Sequence, residues 1–314
     1  MLDLQTEDKK LLRGEVQPHL GLVCMTLSEE VRFRTITRTR YLKFSLEERP
    51  AILSDIYVDN LKRTLKALTF CALNRIKLYR LSSALFPFSD YNEDGGIGEQ
   101  VLESMAGDLA QVGKYATQFN IRVVQHPDQF NVLSSDNPQI VENTVKALSR
   151  HSRALDLMGL PQNAYATMMI HGGKADRSAR LIENIGKLPD GLRSRIAFEN
   201  DENAYDPHDI LQVCQAAHVP MVYDVHHHVC HAKLESYEDP AIVEMLLAAR
   251  ETWPHPEWQL VHLSNGKEFF TDRRHSNLIE LIPSSYRTIP WIEVEAKDKE
   301  VAIQHLRELW PEAD

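Results

Sequence analysis

VPMVYDVHHH, residues 219–228, is an apolar run that ends in a carboxylate and continues into three histidines. Such a run suits the inside of a sheet, and a polar side chain at its carboxyl end points into the crevice where parallel α/β sheets bind ligands. The pattern recurs at Ile121 to His126, Ala166 to His171, Ile196 to Glu199, Gln259 to His262 and Pro290 to Glu295. Two further strand candidates, 20–26 and 76–81, precede them. Helix-patterned segments follow the strands at about 55–73, 98–119, 137–158, 176–187, 207–217, 238–252, 276–282 and 297–310. Asp136-Asn137-Pro138, Asp206-Pro207 and Asp239-Pro240 each offer a cap and a first-turn proline. Eight strands, each followed by a helix, predict an α/β fold of one (β/α)8 TIM barrel.

The 314 residues suffice for such a barrel as one domain over 19–314, with 1–18 as a loose N-terminal extension and 27–54 as a long loop after the first strand. Cys24, Cys71, Cys214 and Cys230 form no CxxC pair. The charged N-terminus lacks the apolar core of a signal peptide, and no stretch reaches the roughly 18 apolar residues that span a bilayer. The expectation is a reduced, cytoplasmic protein with no membrane partner, acting as a monomer. A net charge of −10 and a pI near 5.8 give no general attraction to nucleic acid. That count includes metal-binding carboxylates without their ions, and three divalent ions would add about six positive charges where a phosphate would sit.

A parallel barrel gathers its strand ends on one face, so His126, His171, Glu199, Asp224, His262 and Glu295 should converge, with His227 and His275 within reach of the same mouth. One strand-end histidine is more often a hydrogen-bonded surface group, as His151, His208, His218, His255 and His305 are expected to be. Repetition makes the ligand reading the stronger one. Oxygen and imidazole donors without thiolates suit Mn2+, Zn2+ or Fe2+, and so many donors exceed what one ion uses. Two or three ions are implied, an arrangement suited to phosphodiester cleavage. An extended 226–228 segment would turn either His226 and His228, or His227, toward the ions. In VRFRTITRTR, Arg32, Arg34, Arg38 and Arg40 fall at even positions, which in extended chain places them on one side as a phosphate-binding row or a solvated strand. Lys297 and Lys299 extend that row, while Asn200 and Asn265 stand beside presumed ligands as supports or phosphate donors.

Several segments together resemble the ultraviolet-damage endonuclease family, relatives of endonuclease IV and the xylose-isomerase-like barrels. They are LGLVC (20–24), RTITRTRYL (34–42), YRLSSALFPF (79–88), QHPDQF (125–130), HGG (171–173), FEND (198–201), YDVHHH (223–228), VHLSNG (261–266) and VEAKDKE (294–300), with His275 beyond the VHLSNG segment. The resemblance implies a manganese-dependent enzyme that cuts damaged double-stranded DNA immediately 5′ to cyclobutane pyrimidine dimers and 6-4 photoproducts, leaving 3′-hydroxyl and 5′-phosphate ends. It implies metal ligands at His126, His171, Glu199, Asp224, His227, His262, His275 and Glu295, with Glu199, Glu295 and His227 central to catalysis. It also implies that Gln129 and Phe130 enter the duplex at the lesion, with Arg34, Arg38 and Arg40 on the DNA. Two positions depart from the family pattern. Asp90 stands near where many relatives have a histidine, and Leu260 where relatives often carry a carbon-dioxide-modified lysine. An abasic-site endonuclease and a metal-dependent sugar isomerase are the alternatives in this fold; an isomerase would need a closed sugar pocket and a catalytic lysine.

Overall fold

The computed structural model describes residues 17–127, 130–311 and 313; most of the expected N-terminal extension, and Gln129, lie outside the described residues. The strands are β1 (His19–Val23), β2 (Leu78–Leu81), β3 (Arg122–Gln125), β4 (Met168–His171), β5 (Ile196–Glu199), β6 (Met221–Asp224), β7 (Leu260–Leu263) and β8 (Trp291–Val294). They pair in parallel in chain order and close where β1 meets β8 through Leu20 and Ile292. This is the predicted TIM barrel, and each strand falls inside or one residue from its predicted range. Helices such as Arg49–Leu73, Pro138–Leu157, Pro207–Ala217 and Pro240–Arg250 lie between them. Asn137, Asp206 and Asp239 cap the last three by accepting from the backbone N–H of Gln139, Asp209 and Ala241.

Three segments differ from expectation. The helix expected over 98–119 breaks at Met105 into Ile97–Ser104 and Ala106–Gln118. Within the expected loop 27–54, a short helix forms over Arg38–Tyr41 and the helix ending at Leu73 already starts at Arg49. No helix forms over 276–282: the Asn265 side chain accepts from the N–H groups of Glu280 and Leu281 and donates to the Leu281 carbonyl. Backbone groups held that way have no helical partners to seek.

Alternate strand residues face the barrel axis. Leu78, Val124, Met169, Ala197, Val222 and Leu260 form a buried apolar layer there. Beneath it, buried Arg122 donates to the carbonyls of Tyr165, Ala164 and Trp258 and lies over the rings of Tyr165 and Trp291. Gly21 lets Leu78 into this layer, since a Cβ on it would stand 2.6 Å from the leucine's Cδ2. Burial of each aliphatic side chain contributes roughly 1.5–3 kcal/mol. The floor is therefore apolar, and above it the polar inward residues begin one pleat higher. Among the described residues no helix is long and apolar enough to cross a membrane.

Candidate metal centre

Two residues above the apolar layer, the inward positions become Arg80, His126, His171, Glu199, Asp224 and His262. Ligand atoms of three trios each lie within 4.8 Å of one another: His126, His171 and Glu199; Glu199, Asp224 and His227; Asp224, His262 and Glu295. Glu199 belongs to the first and second trio, Asp224 to the second and third. The strands thus bring together seven of the eight expected ligands. The eighth, His275, follows β7 through an antiparallel bridge to Gly266, and its Nδ1 stands 3.7 Å from Glu295 Oε2.

Glu199 is the hub. Its Oε2 lies 3.0 Å from His126 Nε2 and its Oε1 2.9 Å from His262 Nδ1, with His227 Nδ1 at 3.4 Å and His171 Nε2 at 3.8 Å. Burial opposes its ionisation, but His262 and His171 outweigh that and hold the carboxyl well below the usual carboxylate range. Burial likewise opposes protonation of His227, yet Asp224, Glu199 and Glu202 push its pKa up to about 9.

Ring orientation is fixed from outside the cluster. His126 donates from Nδ1 to the Pro127 carbonyl at 2.9 Å, which leaves Nε2, the nitrogen that faces Glu199, as its candidate ligand atom; His227 Nδ1 lies 2.9 Å from the Asn200 carbonyl, with its Nε2 toward Glu202. Among the described residues the buried Asp224 Oδ2 and His171 Nδ1 have no hydrogen-bonding partner. An unsatisfied buried carboxylate oxygen beside other acceptors is a cation's place. The donor set and these orphaned atoms therefore fit divalent ions.

The three histidines after β6 are helical, not extended. Asp224 caps Val225–Ala232 by accepting from His227 N–H, and the helical turn sends each ring its own way. His227 joins the ligands, His226 pairs with Tyr237 Oη and the Asp272 carbonyl, and His228 pairs with Tyr223 Oη. His151 is not simply a surface group, since its Nδ1 stands 2.9 Å from Gln125 Nε2.

The arginine row does not run extended throughout. Arg38 and Arg40 occupy the short helix, where positions two apart point to opposite sides. Arg32, Arg34 and Arg38 pair with Glu29, Asp55 and Glu93 on the surface, and Arg40 is exposed. Exposed pairs of this kind are worth only about 0–1 kcal/mol, so these guanidiniums stay available to phosphates. Asn200 braces the site by bonding the Asp224 N–H and carbonyl, whereas the Asn265 amide is used up on 280–281. Phe130 is 81% exposed beyond β3, at a cleft of about 520 Å3 that Phe86, Phe88, Asp90 and Asn131 also line. Asp90 is exposed there and belongs to none of the trios; Leu260 is fully buried in the apolar layer.

Sequence reasoning passed over Glu202, 3.7 Å from His227 Nε2, and the buried pair Arg80 and Glu293. Strand parity was the available signal for the pair: Arg80 lies two residues beyond Leu78, and Glu293 two before Glu295.

The model of the family described as UV-endonuclease UvdE matches residues 18–312. The chain belongs to the UV-endonuclease family. A UV DNA damage endonuclease of Nostoc sp. is 54% identical over 299 residues, 95% of this chain and 92% of that protein. That of Deinococcus radiodurans is 49% identical over 297 residues, covering 95% and 97%. In fold, the chain resembles the crystal structure of SacUVDE, with a TM-score of 0.76 at 24% identity over 93% of this chain and 99% of that one. It also resembles endonuclease IV from Thermus thermophilus, with a TM-score of 0.57 at 12% identity over 94% and 99%.

Proposed function

We propose that this protein is a divalent-metal-dependent hydrolase of DNA repair, an endonuclease that incises double-stranded DNA immediately 5′ to cyclobutane pyrimidine dimers and 6-4 photoproducts. The products are a 3′-hydroxyl and a 5′-phosphate. The observation that carries this reading is the set of overlapping ligand trios at the barrel mouth of a member of the UV-endonuclease family. Their donors suit two or three ions, with Mn2+ the expected metal.

Bound there, divalent ions would polarise the scissile phosphate, activate a water and neutralise the leaving oxygen. The chain's own part is placement. Glu199 and Asp224 each belong to two trios, so each would help hold more than one ion. Glu295 and His275 close the side next to β7 and β8, and the carbonyls of Pro127 and Asn200 hold His126 and His227 in one tautomer. Phe130 stands free beyond β3, where with Gln129 it can fill the gap left by an extruded dinucleotide. Arg34, Arg38 and Arg40 supply phosphate contacts at the rim.

The test is to strip the protein of metal and offer end-labelled duplexes that are undamaged, dimer-containing or abasic, with Mn2+, Mg2+ or Zn2+ added separately. Metal-dependent cutting one phosphodiester 5′ to the dimer, with the undamaged duplex intact, is the expected result. Cutting only at the abasic site would replace this reading with an abasic-site endonuclease, and no cutting of any duplex would reject it.

A further inference from the structure

The carboxylate of Glu293 is completely buried inside the barrel, where an apolar residue would pack without charge. Its register partner across the β7–β8 ladder is His262. Glu293 Oε2 lies 2.6 Å from His262 Nε2 and 3.2 Å from Arg80 Nη1. The same Arg80 nitrogen reaches Glu295 Oε1 at 2.5 Å. His262 is thus held by its two ring edges. Nδ1 faces upward to Glu199 at 2.9 Å and Glu295 at 3.6 Å, within the third ligand trio, while Nε2 faces down to Glu293. The lower contact is close without the alignment of a hydrogen bond, and Nε2 has no other hydrogen-bonding partner among the described residues.

A buried carboxylate is costly unless it is paired, and replacing such a group by a hydrophobe is often neutral or stabilising. Stability alone therefore does not account for a glutamate here. Ligation does: an imidazole can bind a metal through Nδ1 only when its proton sits on Nε2, and a carboxylate facing Nε2 fixes that tautomer, orients the ring and raises its basicity. Arg80, itself 8% exposed, pairs with both Glu293 and Glu295 and so holds the two carboxylates in place.

We propose that Glu293, braced by Arg80, is a positioning residue that holds the His262 proton on Nε2 and so presents Nδ1 to the ion shared with Asp224 and Glu295. Glu293 itself touches neither substrate nor the reacting atoms. This inference rests on the metal-centre reading above.

Nitrogen NMR of isotope-labelled histidine in the intact, Zn2+-loaded protein tests it directly. The expected spectrum has His262 ligated through Nδ1 and protonated at Nε2; ligation through Nε2 would overturn the proposal. Chelator-competition titration of Zn2+ adds a second readout. Glu293→Leu should weaken one ion by about 10- to 100-fold, the usual effect of losing an outer hydrogen-bonding partner of a ligand. Glu293→Gln, whose amide oxygen can take the place of the carboxylate oxygen against Nε2, should recover most of that affinity. Unchanged metal affinity in Glu293→Leu would refute the positioning role. If Glu293→Leu does not fold, the wild-type spectrum and Glu293→Gln still decide. A wild-type protein that binds no divalent ion would instead remove the metal-centre reading itself.

Discussion

Glu199 touches more of the candidate centre than any other side chain, because four imidazoles approach its two oxygens. Glu199→Ala should therefore lower both bound metal and incision, the latter by at least about 100-fold, the usual scale for removing one preorganised electrostatic contact at a developing charge. Folding should survive, since the strand around it is held by ladder bonds and the apolar floor. Near-normal cutting with unchanged metal content would reject its assignment. His227 gives a pH prediction. In the metal-free protein its pKa is raised to about 9 from an ordinary value near 6.5, so the folded state binds a proton there more tightly than the unfolded chain. The resulting stability is fully present below pH 6.5 and is lost as pH rises through 9. Metal binding runs the other way, because the proton must leave before the ring ligates, so affinity should rise with pH up to about tenfold per unit for each proton released. Chemical denaturation without metal and isothermal titration with it, both from pH 6 to 10, should show opposite slopes; parallel slopes would contradict the ligand role. Leu260 is packed in the apolar layer one pleat below His262, while the nearby buried carboxylate comes from Glu293. Incision should accordingly be insensitive to added bicarbonate, whereas Leu260→Lys should lose stability by a few kcal/mol for the buried amine.

The loop after β3 carries lesion recognition in this account. Truncating Gln129 and Phe130 together to alanine should weaken binding and cutting of dimer-containing duplex by about 10- to 1000-fold, equivalent to ~1.4–4 kcal/mol. Metal content should not change, and an abasic duplex, easier to open, should suffer less. Equal loss on both duplexes would assign the pair a general positioning role. At this scale the sequence was unevenly legible. All eight strands could be read from apolar runs, six of them with polar ends, because strands buried on both faces carry that composition whatever their neighbours. Capped helices could be read for the same local reason. The 226–228 histidines could not: whether the chain after Asp224 stays extended depends on the Asp224 side chain turning back to His227 N–H, a choice that composition does not reveal. The 276–282 segment misled likewise, since its apolar spacing suits a helix but the Asn265 amide, eleven residues upstream of Ser276, takes its backbone groups. The arginine row failed because four alternating cations suit an extended chain only where strand pairing holds them, and no strand forms there.

The whole molecule carries a charge of −10, and its candidate metal centre gathers Glu199, Asp224 and Glu295, with buried Glu293 beside them. Convergence of the candidate metal ligands was legible from barrel topology alone; the pairing of Arg80 with Glu293 was not, because it depends on register between strands far apart in sequence. Ion binding should relieve the carboxylate repulsion and stabilise the fold. At a free concentration of 100 times the dissociation constant, one ion contributes ~2.7 kcal/mol, enough to raise the melting temperature by several degrees. Calorimetry of stripped and reloaded protein checks this, and an unchanged melting temperature would mean that the acidic cluster binds no ion in the folded state. The most direct test of the central claim is a titration of the stripped protein with Mn2+ against an end-labelled duplex bearing one pyrimidine dimer. Incision should climb from none to its plateau as two or three equivalents per chain are filled, yielding one fragment cut immediately 5′ to the dimer. Full incision in excess chelator, or a filled site that leaves the dimer duplex intact, would contradict it.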